Sequence, residues 1–176
     1  MDATRKKVEK MASGESNQLV KQVGEYLVAS ELARRNYISA TFSGNVPYFD
    51  IIATNSTSGK SIPIQVKTIK NGGAWQFSID KFIEIEMVGN KQILKSIKKQ
   101  PMNNLITVFV NIGLAYGQDE FYILHWGTVQ KIIINGYSKY LEKHGGERPN
   151  KKESKHCSLT TRDLQNYKDN WKLINI

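Results

Sequence analysis

The sequence predicts a single α/β sandwich, a sheet covered by helices. Three features point there. Segments with a helical apolar period alternate with short strand-like runs, in the order helix, strands, helix, strands, helix. The run from Leu105 to Asn111 is almost continuously apolar, the character of a strand buried on both faces. The chain has 176 residues, 40% of them hydrophobic, which is enough for one domain with a real core. No internal repeat or domain-scale linker divides it, so we expect a flexible basic arm over 1–15 and one domain over 16–176.

The elements follow in order. From Ser16 to Asn36, residues Leu19, Val20, Val23, Leu27 and Ser30 recur at spacings of three and four, which predicts a helix. Arg34 and Arg35 followed by Asn36 form its stop. Tyr37 to Phe42 reads as a strand or extended link, and Ser43, Gly44, Asn45 and Pro47 as a turn. Strands are expected at 49–54 and 61–69, joined by the hairpin-type loop NSTSGK. A third strand fits 75–79. Residues 80–88 alternate like a strand but could open a helix. Beyond Gly89 and Asn90, KQILKSIKK (91–99) reads as a short basic amphipathic helix or turn, ended by Pro101. Phe121 to His125 is the expected neighbour of the buried strand, across GLAYGQDE. A helix is expected over 128–134, a polar loop over 143–157, and a last helix from Thr160 or Thr161.

Composition limits the function. Twenty-five Lys and Arg against 16 Asp and Glu give a net charge of +9. Nucleic acid is the commonest partner of such a surface, because phosphate contacts release counterions. No apolar run is long enough to cross a bilayer. The first sixteen residues lack the apolar core of a secretory leader, and Cys157 has no second cysteine to pair with. A reducing, cytoplasmic location is therefore expected.

The chemistry concentrates in FDIIATNSTSGKSIPIQVKTI, residues 49–69, where one acid, one amide and one lysine interrupt apolar strands. Alternation puts Gln65 and Lys67 on one face of their strand and Ile64 and Val66 on the other. If the strand carrying Asp50 is the hairpin partner, its carboxylate, the Gln65 amide oxygen and the Val66 carbonyl can gather round one hard cation such as Mg²⁺. Lys67 then stands where a water meets a phosphate. The bland alternative is that Asp50 closes the NSTSGK turn and Lys67 guards an edge strand.

An aspartate ahead of a hairpin strand reading IPIQVKT resembles the PD-(D/E)XK nuclease superfamily, which includes Holliday-junction resolvases and restriction enzymes. GEYLVASELARRNY (24–37) resembles that superfamily's first helix, so the likeness spans roughly residues 16 to 70. It implies a restriction-endonuclease-like core, a central mixed sheet flanked by helices in the order αβββαβ. It implies a Mg²⁺- or Mn²⁺-dependent endonuclease hydrolysing DNA phosphodiester bonds. Asp50, Gln65, Lys67 and Glu25 would be the catalytic residues, with Asp50, Gln65, Val66 and Glu25 on the metal. Relatives often act as dimers, so a homodimer is an option, though no surface for one is legible. Gln65 stands where the motif more often has an acid, which lowers the charge of the site. A weakened nucleic-acid-binding module, or an interaction protein of a defence or toxin system, is the alternative on the same fold.

Lysines 91, 95, 98 and 99 (Lys91, Lys95, Lys98, Lys99), with Lys151 and Lys152, are candidate phosphate contacts, against a plain solvated surface. His125, His144 and His156 have no metal-ligand spacing. Tyr122, Tyr167 and Trp171 are expected in the core. If Asp50 and Lys67 are functional rather than structural, their alanine variants should melt no lower than the wild type.

Overall fold

The computed structural model describes the backbone of residues 2–42 and 46–175, with side chains from Asn17 onward. The turn expected at 43–45 lies outside the described residues. Helix α1 (Asp2–Ala33) leads into strands β1 (Tyr37–Thr41), β2 (Ile51–Asn55) and β3 (Ser61–Lys70). Next come β4 (Ala74–Ser78), the hairpin β5 (Ile83–Val88) and β6 (Lys91–Ile97), then β7 (Ile106–Ile112) and β8 (Glu120–His125). Helix α2 (Trp126–Lys143), β9 (His156–Thr160), the short α3 (Thr161–Leu164) and two 3₁₀ turns complete the chain.

The central sheet has the order β1-β2-β3-β7-β8. It is mixed: β3 and β7 run parallel, and every other neighbouring pair is antiparallel. One face carries Ile51, Ala53, Ile62, Ile64, Val66, Ile106, Val108 and Val110, packed against Val28 and Leu32 of α1 and Trp171 and Ile174 of the C-terminus. The other face carries Phe109, Tyr122 and Leu124, packed against Val129, Ile133, Tyr137 and Leu141 of α2 and against Trp75 and Phe82. Each such fully buried side chain contributes about 1.5–3 kcal/mol through the water it leaves.

Several expectations change. Helix α1 begins at Asp2, through the stretch expected as an arm. That stretch contains no proline and many good helix formers, which propagate a helix already anchored further along. KQILKSIKK is not a helix: Lys91–Ile97 is the second strand of the β5–β6 hairpin. The turn at Gly89, with φ +59°, and the alternating apolar residues on both sides outweigh helical spacing. The helix of αβββαβ between the third strand and β7 is thus replaced by β4 and this hairpin. Helix α2 runs past Gly136 because Tyr137 and Leu141 continue the buried series of Val129 and Ile133. The loop at 143–157 ends in β9, whose ladder partner, β4, lies some eighty residues away in sequence.

Gly24 fixes how closely α1 approaches the sheet. A Cβ there would lie 2.0 Å from Thr68 Oγ1, 2.8 Å from Cγ2 and 2.9 Å from Cβ. No threonine rotamer clears all three. Gly24→Ala is therefore expected to push α1 off β3. Overpacking costs typically about 1–3 kcal/mol, and a domain of this size loses roughly 2–4 °C per kcal/mol. A thermal melt followed by circular dichroism checks this; an unchanged midpoint would mean that α1 is not seated on β3.

Candidate functional site

Asp50 sits one residue before β2, where that strand leaves the sheet. Its backbone N donates to Ile64 O (2.9 Å), and its Oδ2 accepts from Val66 N (2.8 Å). The carboxylate thus takes the place of the missing strand and ties Asp50 to β3. Backbone groups two residues apart on a strand point to the same side. Ile64 and Val66 therefore both face the β2 edge, and the Val66 carbonyl opens where β2 has ended. Asp50 does not close the NSTSGK turn; Asn55 does, its Oδ1 accepting from Thr57 N and Ser58 N. Lys67 is likewise not an edge residue, because β3 lies at the middle of the sheet.

Gln65 and Lys67 share the α2-facing side of β3, paired with Thr107 and Phe109 of the parallel β7. Among the described residues, neither Gln65 Oε1 nor Thr107 Oγ1, both buried, has a hydrogen-bond partner. Trp75 Nε1 donates to Lys67 O (2.9 Å) and packs edge-on against Phe109. Burial pushes the Lys67 ammonium below its ordinary pKa; the attraction of Asp50 opposes this, and Lys81 and Lys21 add to it.

Glu25 comes from α1 and is 9% exposed, not on a solvated flank. Burial raises its pKa, while Lys21 and Lys67 lower it and Asp50 raises it further. Its field therefore reaches Lys21, Asp50 and Lys67. Lys21, one turn earlier on α1, holds both acids: its Nζ lies 3.2 Å from Asp50 Oδ1 and 3.4 Å from Glu25 Oε1. Burial would lower the Lys21 pKa, but Asp50 and Glu25 together raise it.

Among the described residues, no three His, Cys, Asp or Glu side chains gather closely enough to hold a metal by themselves. The donor set here is different: two carboxylates, one buried amide oxygen with no partner, and one carbonyl at an open strand edge. All are oxygens, the ligand type a hard cation that keeps several waters prefers; Lys21 joins the two carboxylates, and Gln65 approaches from the α2-facing side of β3. Buried polar groups are normally paired, and the Gln65 oxygen, unpaired among the described residues, is a donor of the type a hard cation accepts.

A cleft of about 690 Å³ opens over Gln65 and Lys67. Its walls include Tyr48, Gln76, Lys81, Lys98, Lys99, Pro101 and Trp126. Asp50 and Glu25 are not in its lining; they reach the same strand from the α1 side. The six candidate lysines separate. Lys98 and Lys99 line this cleft, whereas Lys95 pairs with Glu86 (2.5 Å) and Lys152 with Glu147 (2.9 Å). Lys91 bridges Glu147 through its backbone, and Lys151 is an exposed loop residue. Lys21, Tyr48, Lys81 and Trp126 escaped the sequence reading. Only Lys21 left a trace there, as the i,i+4 partner of Glu25. His125 is exposed at the end of β8, and Cys157 is a half-buried thiol of β9 whose pKa burial pushes up to about 11.

No protein-family model matches the chain, and no curated protein matches it. Among solved structures, the fold is similar to that of a bacterial homing endonuclease, I-Ssp6803I, with a TM-score of 0.50. The likeness covers 90% of this chain and 93% of that one, at 10% identity. It shows a shared mixed α/β fold built on a central mixed sheet, one that serves a nuclease. No described helix is long and apolar enough to cross a membrane.

Proposed function

We propose that this protein is a metal-dependent endonuclease of the PD-(D/E)XK type that hydrolyses DNA phosphodiester bonds. One observation carries the reading. Asp50, fastened to Val66 N, brings a carboxylate to the strand that presents the orphaned Gln65 oxygen and the desolvated Lys67 ammonium. The net charge of +9 and the cationic cleft suit a phosphate backbone. The fold's likeness to a homing endonuclease agrees with DNA as the substrate.

Asp50, Glu25, the Gln65 amide and the Val66 carbonyl would hold Mg²⁺ or Mn²⁺. Bound there, the ion would polarise a phosphate oxygen and lower the pKa of a bound water. Lys67 places its charge where negative charge develops at the phosphate, in a site where burial strengthens that interaction. Lys98 and Lys99 hold the backbone of the strand in the cleft. Cutting both strands of a duplex needs a second site, which a second copy of the chain would supply.

Incubation of supercoiled plasmid with the protein and Mg²⁺ or Mn²⁺ is expected to give nicked or linear DNA, and EDTA to prevent it. Salt-sensitive DNA binding without cleavage in either metal would instead make it a binding module. The neutral Gln65 and the Lys21 contacts on both acids favour that rival. Absence of both binding and cleavage would leave an interaction protein.

A further inference from the structure

We propose that Lys21 is an internal competitor for the metal, a latch that occupies the Asp50–Glu25 oxygen pair until a divalent cation displaces it. The proposal rests on the metal-site reading above. Asp50 has two carboxylate oxygens, and Oδ2 is committed to Val66 N. Its other oxygen, Oδ1, is the one free for a cation, and it faces Lys21 Nζ at 3.2 Å. The same ammonium lies 3.4 Å from Glu25 Oε1. A Mg²⁺ ion binds oxygen at about 2.0–2.1 Å. The two oxygens cannot take the ion at that distance and keep an ammonium between them, so the two occupants exclude each other.

The two acids differ from Lys21 in freedom. Asp50 is tied to the sheet and Glu25 is buried on α1, while the Lys21 side chain is 53% exposed and can swing into solvent. The acids stay in place and the ammonium leaves. In the absence of metal, Lys21 spares two neighbouring carboxylates their mutual repulsion, which keeps the site assembled. Metal binding and the release of Lys21 thereby become one event.

Calorimetric titration of the full chain with Mn²⁺, without DNA, tests this. Lys21→Met is expected to bind Mn²⁺ about tenfold more tightly than wild type, the gain for a latch closed ~90% of the time. Lys21→Arg, which keeps the competing charge, should stay near the wild-type affinity. Lys81→Met removes a lysine whose field reaches Lys67 without contact with either acid, and should change affinity less than twofold. A second readout is thermal: the Met variant should melt lower than wild type without metal and gain more on adding Mn²⁺. Equal Mn²⁺ affinity in wild type and Lys21→Met would overturn the latch and leave the metal site standing. An equal gain in Lys81→Met would reduce the effect to general charge and also overturn it. No binding by any variant would overturn both the latch and the metal site.

Discussion

Lys67→Met is expected to abolish DNA cleavage while the protein melts at or above the wild-type temperature. The methionine keeps most of the buried stem and drops the charge. Loss of a single group that stabilises transition-state charge costs roughly 10²–10³ in rate. The stability expectation has the opposite sign because burial dominates at this residue. The pKa of Lys67 in the folded protein lies below its unfolded value of 10.5. For such a group the folded state gains stability as pH rises from the folded pKa to 10.5, and loses that gain as pH falls again. At neutral pH the wild type carries the full cost of a desolvated ammonium, and the Met variant does not. Cleavage should fall across the same alkaline window in which metal-free stability rises, because deprotonation removes the charge proposed to act at the phosphate. Plasmid cleavage and melting curves from neutral pH upward check both signs. A Met variant that cuts within a few-fold of wild type, or melts clearly lower, would assign Lys67 to packing.

At Asp50 the asparagine and alanine variants should part company. Asp50→Asn retains an oxygen for Val66 N but loses the charge that faces Lys21 and would hold the proposed metal. It should fold normally, fail to cleave, and bind Mn²⁺ far more weakly. Asp50→Ala strands the Val66 N–H at a strand edge, which costs roughly 1–3 kcal/mol, or about 2–4 °C of melting temperature for each of those kcal/mol. From the sequence, a purely functional Asp50 implied an alanine variant that melts no lower than the wild type. The structure revises this, because the Asp50 carboxylate takes the hydrogen bond a neighbouring strand would otherwise supply to Val66 N. Paired melts and Mn²⁺ titrations distinguish the two; an asparagine variant that still cleaves would remove Asp50 from the site.

Much of the candidate site is written in local sequence. Alternation along IPIQVKT fixes that Gln65 and Lys67 share a face, because the side-chain period of a strand is two, whatever surrounds it. The buried character of β7 follows from an apolar run too short for a membrane and too continuous for a surface strand. Glu25 on a helix with Lys21 one turn before it is likewise local. What resisted reading is non-local. KQILKSIKK has an acceptable helical face, yet it pairs with β5, since a hairpin partner a few residues away supplies the backbone bonds a helix would make internally. HCSLT became a strand because β4 offers it a ladder.

The chain by itself therefore determined the alphabet of the site: an acid at the head of one strand, an amide and a lysine on its neighbour, within a basic α/β domain. Tertiary structure decided which of their atoms remain available. Packing of Gly24 on Thr68 brings Glu25 and Lys21 to the end of β3, and the departure of β2 leaves Val66 N for Asp50 to cap. Desolvation of Lys67, isolation of the Gln65 oxygen and the sorting of the lysines into cleft and ion pairs all depend on neighbours remote in sequence. The cost of an unpaired or buried polar group is set by what surrounds it in space, which spacing along the chain does not encode.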